Sequence, residues 1–245
     1  MKIEQQVLSS FTDSLRPVNF TGKTRLAIVF GSVERLEAPG ELDRIATAFP
    51  GVTVVGCSTA GEISRNGVVE HRAGLSVTTL DLNHTDIAVF RAGISSMSAS
   101  ADAGAELGKQ LLKPDLRYVL VLSDGLKVNG AELVRGLRST LPASTVISGG
   151  LAGDDARFGR TYVVHGRELL SGQVVAVGLY GSKLTARVMS GSGWISFGGN
   201  TCVTRPGARP LRLIHCTDCV PAKSTKYFTS GFCELEVMCC RTPGP

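Results

Sequence analysis

A single thiol at the end of a β-branched run is the first group in the chain that could do chemistry. Cys57 stands in Val54-Val55-Gly56-Cys57-Ser58-Thr59-Ala60-Gly61-Glu62-Ile63. Loop N–H groups beside a thiol lower its pKa and make it a nucleophile. A cysteine enzyme also needs a base within reach, and His71, His84 and His165 stand in no recognisable partner spacing. A Cys57-dependent hydrolase or transferase is therefore the weaker reading, since a free cysteine is more often a small buried apolar residue. No catalytic residue is assigned, and the protein is not read as an enzyme. The chain holds no phosphate-cradling Walker loop, no dinucleotide-binding glycine fingerprint and no paired-histidine metal motif. No metal and no cofactor is expected.

The stronger reading treats the whole loop as a backbone frame for a small ligand. Gly, Ser and Thr at a strand end let the main chain approach a ligand closely and leave peptide N–H groups free to bind it. The loop has an echo, Val146-Ile147-Ser148-Gly149-Gly150-Leu151-Ala152-Gly153-Asp154. Two further small-residue clusters are Ser123-Asp124-Gly125 and Ser190-Gly191-Ser192-Gly193-Trp194. Ligands of open α/β sheets bind beyond the carboxyl ends of strands. The candidate contacts are Gly56, Cys57, Ser58, Thr59, Gly61 and Glu62 in the first loop and Gly149, Gly150, Gly153 and Asp154 in its echo. Ser123, Asp124, Arg157 and Trp194 complete the set. Arg157 would take a carboxylate in a bidentate manner. The plainer alternative makes Asp124 a turn cap, Asp154 and Arg157 a surface pair, and the glycines answers to backbone need.

Elements that would position these loops are legible from periodicity. A shift of 92 residues places Ala27-Ile28-Val29-Phe30 on Val119-Leu120-Val121-Leu122 and Ala60-Gly61-Glu62 on Ala152-Gly153-Asp154. This in-phase pattern reads as a duplicated β-α-β unit that brings the two loops to a shared cleft. Strands are expected at 26–30, 52–55, 74–82, 86–92, 118–122, 145–148, 161–164, 173–180 and 184–189. Helices are expected at 39–49, at 98–112 with Ser98 or Ser100 as cap, and at 130–140 with Asn129 as cap. Asn83-His84-Thr85 reads as the turn of a hairpin. The fold class is α/β, with mixed parallel and antiparallel sheets and flanking helices, built from two pseudo-repeated β-α-β-plus-hairpin units.

Composition narrows the partners. A chain of 245 residues at 43% hydrophobic can bury a large core. The net charge is +5, but from Asn200 onward six cations face three anions, so the body is nearly balanced. With no basic stripe and few aromatics, nucleic acid is not an expected partner. No apolar run is long enough to span a bilayer, so no membrane is expected either. The first six residues carry acid and amide groups at Glu4, Gln5 and Gln6, where a signal peptide would need an apolar core. A cytoplasmic location is expected.

The quoted motifs, with Leu122-Ser123-Asp124-Gly125-Leu126 and Val175-Ala176-Val177-Gly178-Leu179-Tyr180-Gly181, together resemble the N-terminal domain of the FIST sensor family over residues 25–198. That resemblance implies a sensory module of bacterial signal transduction that binds small ligands, amino acids among them. It implies signalling partners such as a histidine kinase, a cyclic-nucleotide enzyme or a chemotaxis receptor. It implies no catalytic residues. The domain division expected is an N-terminal arm over 1–24, a FIST N-terminal-like sensor domain over 25–198 and a Cys-rich divergent tail over 199–245. The resemblance also implies a following C-terminal FIST domain, which is expected to be missing or replaced here. The tail reads as a truncated or frameshifted end and is expected to be disordered. It holds six of the seven cysteines. A zinc site built on Cys216-x-x-Cys219 with Cys233, Cys239, Cys240 or His215 is the weaker alternative for it. If the cleft needs the second domain, the body would be a scaffold that binds no ligand.

Overall fold

The computed structural model describes residues 1–64, 67–69 and 72–188, and the backbone of four short strands within 201–236. The chain divides into two compact units, Met1–Val188 and Met189–Pro245.

In the first unit a six-stranded sheet runs in the order β1-β6-β2-β3-β10-β11. Its strands are β1 (Lys2–Leu8), β6 (Leu75–Leu82), β2 (Thr24–Gly31), β3 (Thr53–Ser58), β10 (Val163–His165) and β11 (Glu168–Leu170). A four-stranded sheet runs β7-β12-β8-β9, with β7 (Asp86–Gly93), β12 (Gln173–Tyr180), β8 (Leu116–Ser123) and β9 (Val146–Leu151). The pairs β2/β3 and β8/β9 are parallel, and the other pairs within these two sheets are antiparallel. Helices α1 (Val33–Glu37) and α2 (Glu41–Ala48) follow β2. Helix α3 (Ser100–Leu111) precedes β8, and α4 (Gly130–Thr140) follows it. The fold is mixed α/β with few helices. A small hairpin, β4 (Glu62–Ser64) with β5 (Gly67–Val69), follows the first loop.

The central strands are apolar on both faces because each face has a different neighbour. In β2, Ala27 and Val29 join Leu36, Ile45 and Phe49 on the side of α1 and α2. Leu26, Ile28 and Phe30 face the opposite way, into a cluster with Leu120 and Leu122 of β8 and Val175 and Val177 of β12. In β8 the alternation repeats, with Val119 and Val121 joining Leu107 of α3 and Leu137 of α4. The layers therefore run helices, six-stranded sheet, four-stranded sheet, helices.

Three expectations change. β6 and β7 are both present, but they do not form a hairpin. β6 pairs with β1 and β2, whereas β7 pairs with β12 in the other sheet. Asn83-His84-Thr85 is thus a crossing between layers, a choice that depends on tertiary partners and leaves no mark on a local turn signal. Residues 184–188 form no strand. Ser100 does not cap α3; its hydroxyl accepts from Asn129 N–H at 2.9 Å and ties the start of α4 to α3. The expected cap of α4 is present, with Asn129 Oδ1 accepting from Glu132 N–H at 3.2 Å. Within the arm, Lys2–Leu8 is an edge strand paired with β6.

In the second unit, β13 (Thr201–Val203) pairs antiparallel with β14 (Leu213–His215), and β15 (Lys226–Thr229) with β16 (Cys233–Glu236). Trp194 and the cysteines at 216, 219, 239 and 240 lie outside the described residues.

Candidate functional site

The loop and its echo meet at Ser58. This residue ends β3 and is fully buried. Its hydroxyl donates to the Gly153 carbonyl at 2.7 Å and accepts from Tyr162 N–H at 3.0 Å. Its carbonyl accepts from Gly153 N–H at 2.8 Å, and its own N–H donates to the Tyr162 carbonyl at 2.9 Å. Thr59 N–H donates to the Gly31 carbonyl, and Ala152 N–H to the Ser123 carbonyl. The carboxyl ends of all four parallel strands therefore converge: Gly31 of β2, Ser58 of β3, Ser123 of β8 and Leu151 of β9. Thr59 Oγ1 donates to Glu62 Oε1 at 2.8 Å, inside the first loop.

The two aspartates bind their own loops. Asp124 is 1% exposed. Its Oδ1 accepts from Leu126 and Lys127 N–H, each at 2.8 Å, and its Oδ2 accepts from Gly172 N–H at 2.9 Å. Burial pushes this carboxyl up, but the N–H groups of Gly172, Lys127 and Leu126 together outweigh it and hold the group below its ordinary value. Asp154 does the same for residues 158–160. Its carboxylate accepts from Phe158, Gly159 and Arg160 N–H at 3.0, 2.6 and 3.1 Å. Here too burial raises the pKa and the backbone donors more than reverse it. Asp124 is the turn cap that the plainer reading describes.

Gly56 and Gly149 serve close strand packing. A Cβ on Gly56 would fall 2.0 Å from the Val29 carbonyl oxygen, and one on Gly149 1.8 Å from that of Val121. Gly150, by contrast, has open space where a side chain would stand. Gly61 is half-buried at the turn into β4.

Cys57 points between the two sheets, in the cluster with Leu122, Ala152 and Val163. Burial pushes its thiol up to about 12, so almost no thiolate exists at neutral pH, and the nucleophile reading loses its chemistry. Iodoacetamide is expected to leave Cys57 unmodified in the folded chain and to modify it in urea, as read by peptide mass mapping. Equal labelling rates in the two states would contradict this burial.

Arg157 is already engaged. Its guanidinium meets Glu34 of α1 in a bidentate pair, Nη1 to Oε1 at 2.5 Å and Nη2 to Oε2 at 3.1 Å. Its Nε donates to the Asp154 carbonyl at 2.9 Å. One turn further along α1, Glu37 accepts from Arg160 and from the Tyr162 hydroxyl. The matched spacing of Glu34/Glu37 and Arg157/Arg160 is a sequence signal for this contact, a weak one because α1 is only five residues long. The loop at residues 155–158 is strained. Asp155, Ala156 and Phe158 have φ of 60°, 56° and 52°, where side chains cost roughly 1–2 kcal/mol each. It presents Phe158 at 77% exposure. A separate groove of about 450 Å³, lined by Gln6, Leu8, Asp13 and Arg16 among others, shares no residue with these loops. Among the described residues no cluster of metal-ligating side chains occurs, and no helix is long and apolar enough to cross a membrane.

This is a layered α/β domain whose parallel strands end in one set of small-residue loops. The sequence profile of the FIST N domain matches residues 25–209, well over half of the chain, and the protein belongs to the FIST family. That family is a group of sensor domains of signal transduction and is not typically enzymatic. A search of curated proteins gave no match.

Proposed function

We propose that this chain is a sensory module that binds a small zwitterionic ligand of the amino-acid class where the loop after β3 meets the loop after β9. The observation that carries the reading is the Arg157–Glu34 pair, tied to the echo loop by the bond from Arg157 Nε to the Asp154 carbonyl. It sets a carboxylate-binding fork beside an ammonium-binding carboxylate, the two groups that a free amino acid needs. The pair is partly exposed, at 43% and 26% of its side chains. Exposed ion pairs contribute only about 0–1 kcal/mol, so a ligand could open this one at little cost. Ligand would then exchange one internal ion pair for two external ones and loosen one of the two ties between α1 and the 154–160 loop, leaving the Arg160–Glu37 pair in place. Such a shift is the kind of signal that a histidine kinase, a cyclic-nucleotide enzyme or a chemotaxis receptor could read.

Within this reading, Ser58, Gly153, Asp124 and Asp154 build the frame, while Thr59, Gly61, Glu62, Gly150 and Arg157 offer the contacts. Cys57, Ser123, Gly56 and Gly149 support them from beneath. The test is a thermal-shift series on the full chain against the free amino acids. A ligand that binds only the folded state raises the midpoint in a concentration-dependent way. One chemical class is expected to do so, and Arg157→Gln and Glu34→Gln are each expected to abolish the response. A stable melt that no amino acid moves, or an unchanged response in both variants, overturns the proposal.

A further inference from the structure

One of the two outer edges of the six-stranded sheet is β1, whose far side pairs with no strand among the described residues. An unpaired edge is a template for another strand. From the residues of β1 we infer that its partner is the β1 of a second copy, paired antiparallel about a two-fold axis at Ile3.

Register follows from parity and charge. Opposed residues of an antiparallel pair either both exchange hydrogen bonds or both do not. The outward backbone groups of β1 belong to alternate residues, so two copies close only where opposed residues are both odd or both even. Centring on Glu4 sets Glu4 against Glu4, a like-charge contact that opposes pairing. Centring on Gln5 sets Lys2 against Leu8, which is buried in its own core. Centring on Ile3 sets Lys2 against Glu4 twice, Ile3 against Ile3 and Met1 against Gln5. This register alone is complementary throughout.

The side chains are placed to use it. Gln6 is held by Arg16 through two hydrogen bonds, and Leu8 packs on the helix side. Lys2 and Glu4 share that face by alternation. They remain 56% and 38% exposed, and their contact within one chain is a long 3.9 Å. On the other face Ile3 is 55% exposed. Gln5 on that same face reaches the Ile63 carbonyl of β4, where Ile63 and Val68 are cross-strand neighbours at 62% and 60% exposure. A second copy would cover apolar surface that the first leaves in water.

The experiment is sedimentation velocity on the full chain over a concentration series. The wild type is expected to dimerise. Lys2→Glu alone makes two Glu–Glu contacts and Glu4→Lys alone makes two Lys–Lys contacts; each is expected to weaken the dimer roughly tenfold or more. Mixing the two variants restores both pairs, and so does the double change in one chain, so both samples are expected to regain the dimer. A wild type that stays monomeric at its highest soluble concentration overturns the inference. So does a dimer indifferent to the charge reversals, or one that neither the mixture nor the double variant restores.

Discussion

Replacing Glu41 by alanine is expected to lower folding stability by about 3–5 kcal/mol, the cost of stranding a buried charge. Arg35 is wholly buried, and its Nε donates to Glu41 Oε1 at 2.9 Å. The same oxygen accepts from Arg44 at 2.8 Å. The rest of the guanidinium reaches the Ser10 carbonyl at 2.7 Å and lies over the Phe11 ring, 5.2 Å from its centre. Without Glu41 the cation keeps its burial and loses its counter-charge. The combined change Arg35→Met with Glu41→Leu is expected to recover most of the loss, because removing both charges removes the desolvation cost as well. Urea midpoints of the single and double variants measure this. A loss below about 1 kcal/mol in Glu41→Ala, the range of an exposed pair, would show that water reaches the site.

Gly136→Ala carries the second large effect. Helices α3 and α4 cross with their backbones almost in contact. A Cβ on Gly136 would stand 1.9 Å from the Ala101 carbonyl oxygen, and one on Gly104 2.2 Å from that of Leu133. Alanine would gain about 1 kcal/mol of helix propensity at an exposed site. Here it must push two helices apart, and the expected net loss is about 2–3 kcal/mol. Gly108→Ala is the control. Its new methyl meets chiefly Thr140 Oγ1, a side chain that can turn away at the cost of its bond to the Leu137 carbonyl. Its effect should be much smaller, and equal thermal midpoints for the two variants would refute the close crossing.

Helix α4 was legible to the residue, because Asn129 supplies a cap and Leu133 and Leu137 share one face. Strand β12 was equally plain from its unbroken apolar run. Helix α1 and the strand β11 were missed, since five and three residues are too few for a period to declare itself. β1 was misread because Lys2 and Glu4 look like a solvated arm when their strand partner lies some 75 residues away, at Thr79 opposite Glu4. Arg35 could not be found at all from sequence, as nothing local distinguishes a buried arginine from a surface one. At the candidate site the sequence names residues but not the hydrogen bonds they make. Asp124 and Asp154 are spent on their own loops, and Arg157 already holds a carboxylate. The family was legible because its motifs are spaced and ordered, which requires no knowledge of pairing.

The crossing of β6 into β7, and the return of β10 and β11 beside β3, carry a consequence for synthesis. Each sheet is finished by strands from the other half of the chain. As the nascent chain emerges, the edge of β3 stays open until residue 163 arrives, and β7 has no partner until residue 173. Pairings of such long sequence separation form slowly and leave strand edges exposed meanwhile. A ribosome-bound fragment ending near residue 150 should therefore be sticky and sensitive to protease. The two halves are laced together, so neither can be cut out as an independent part.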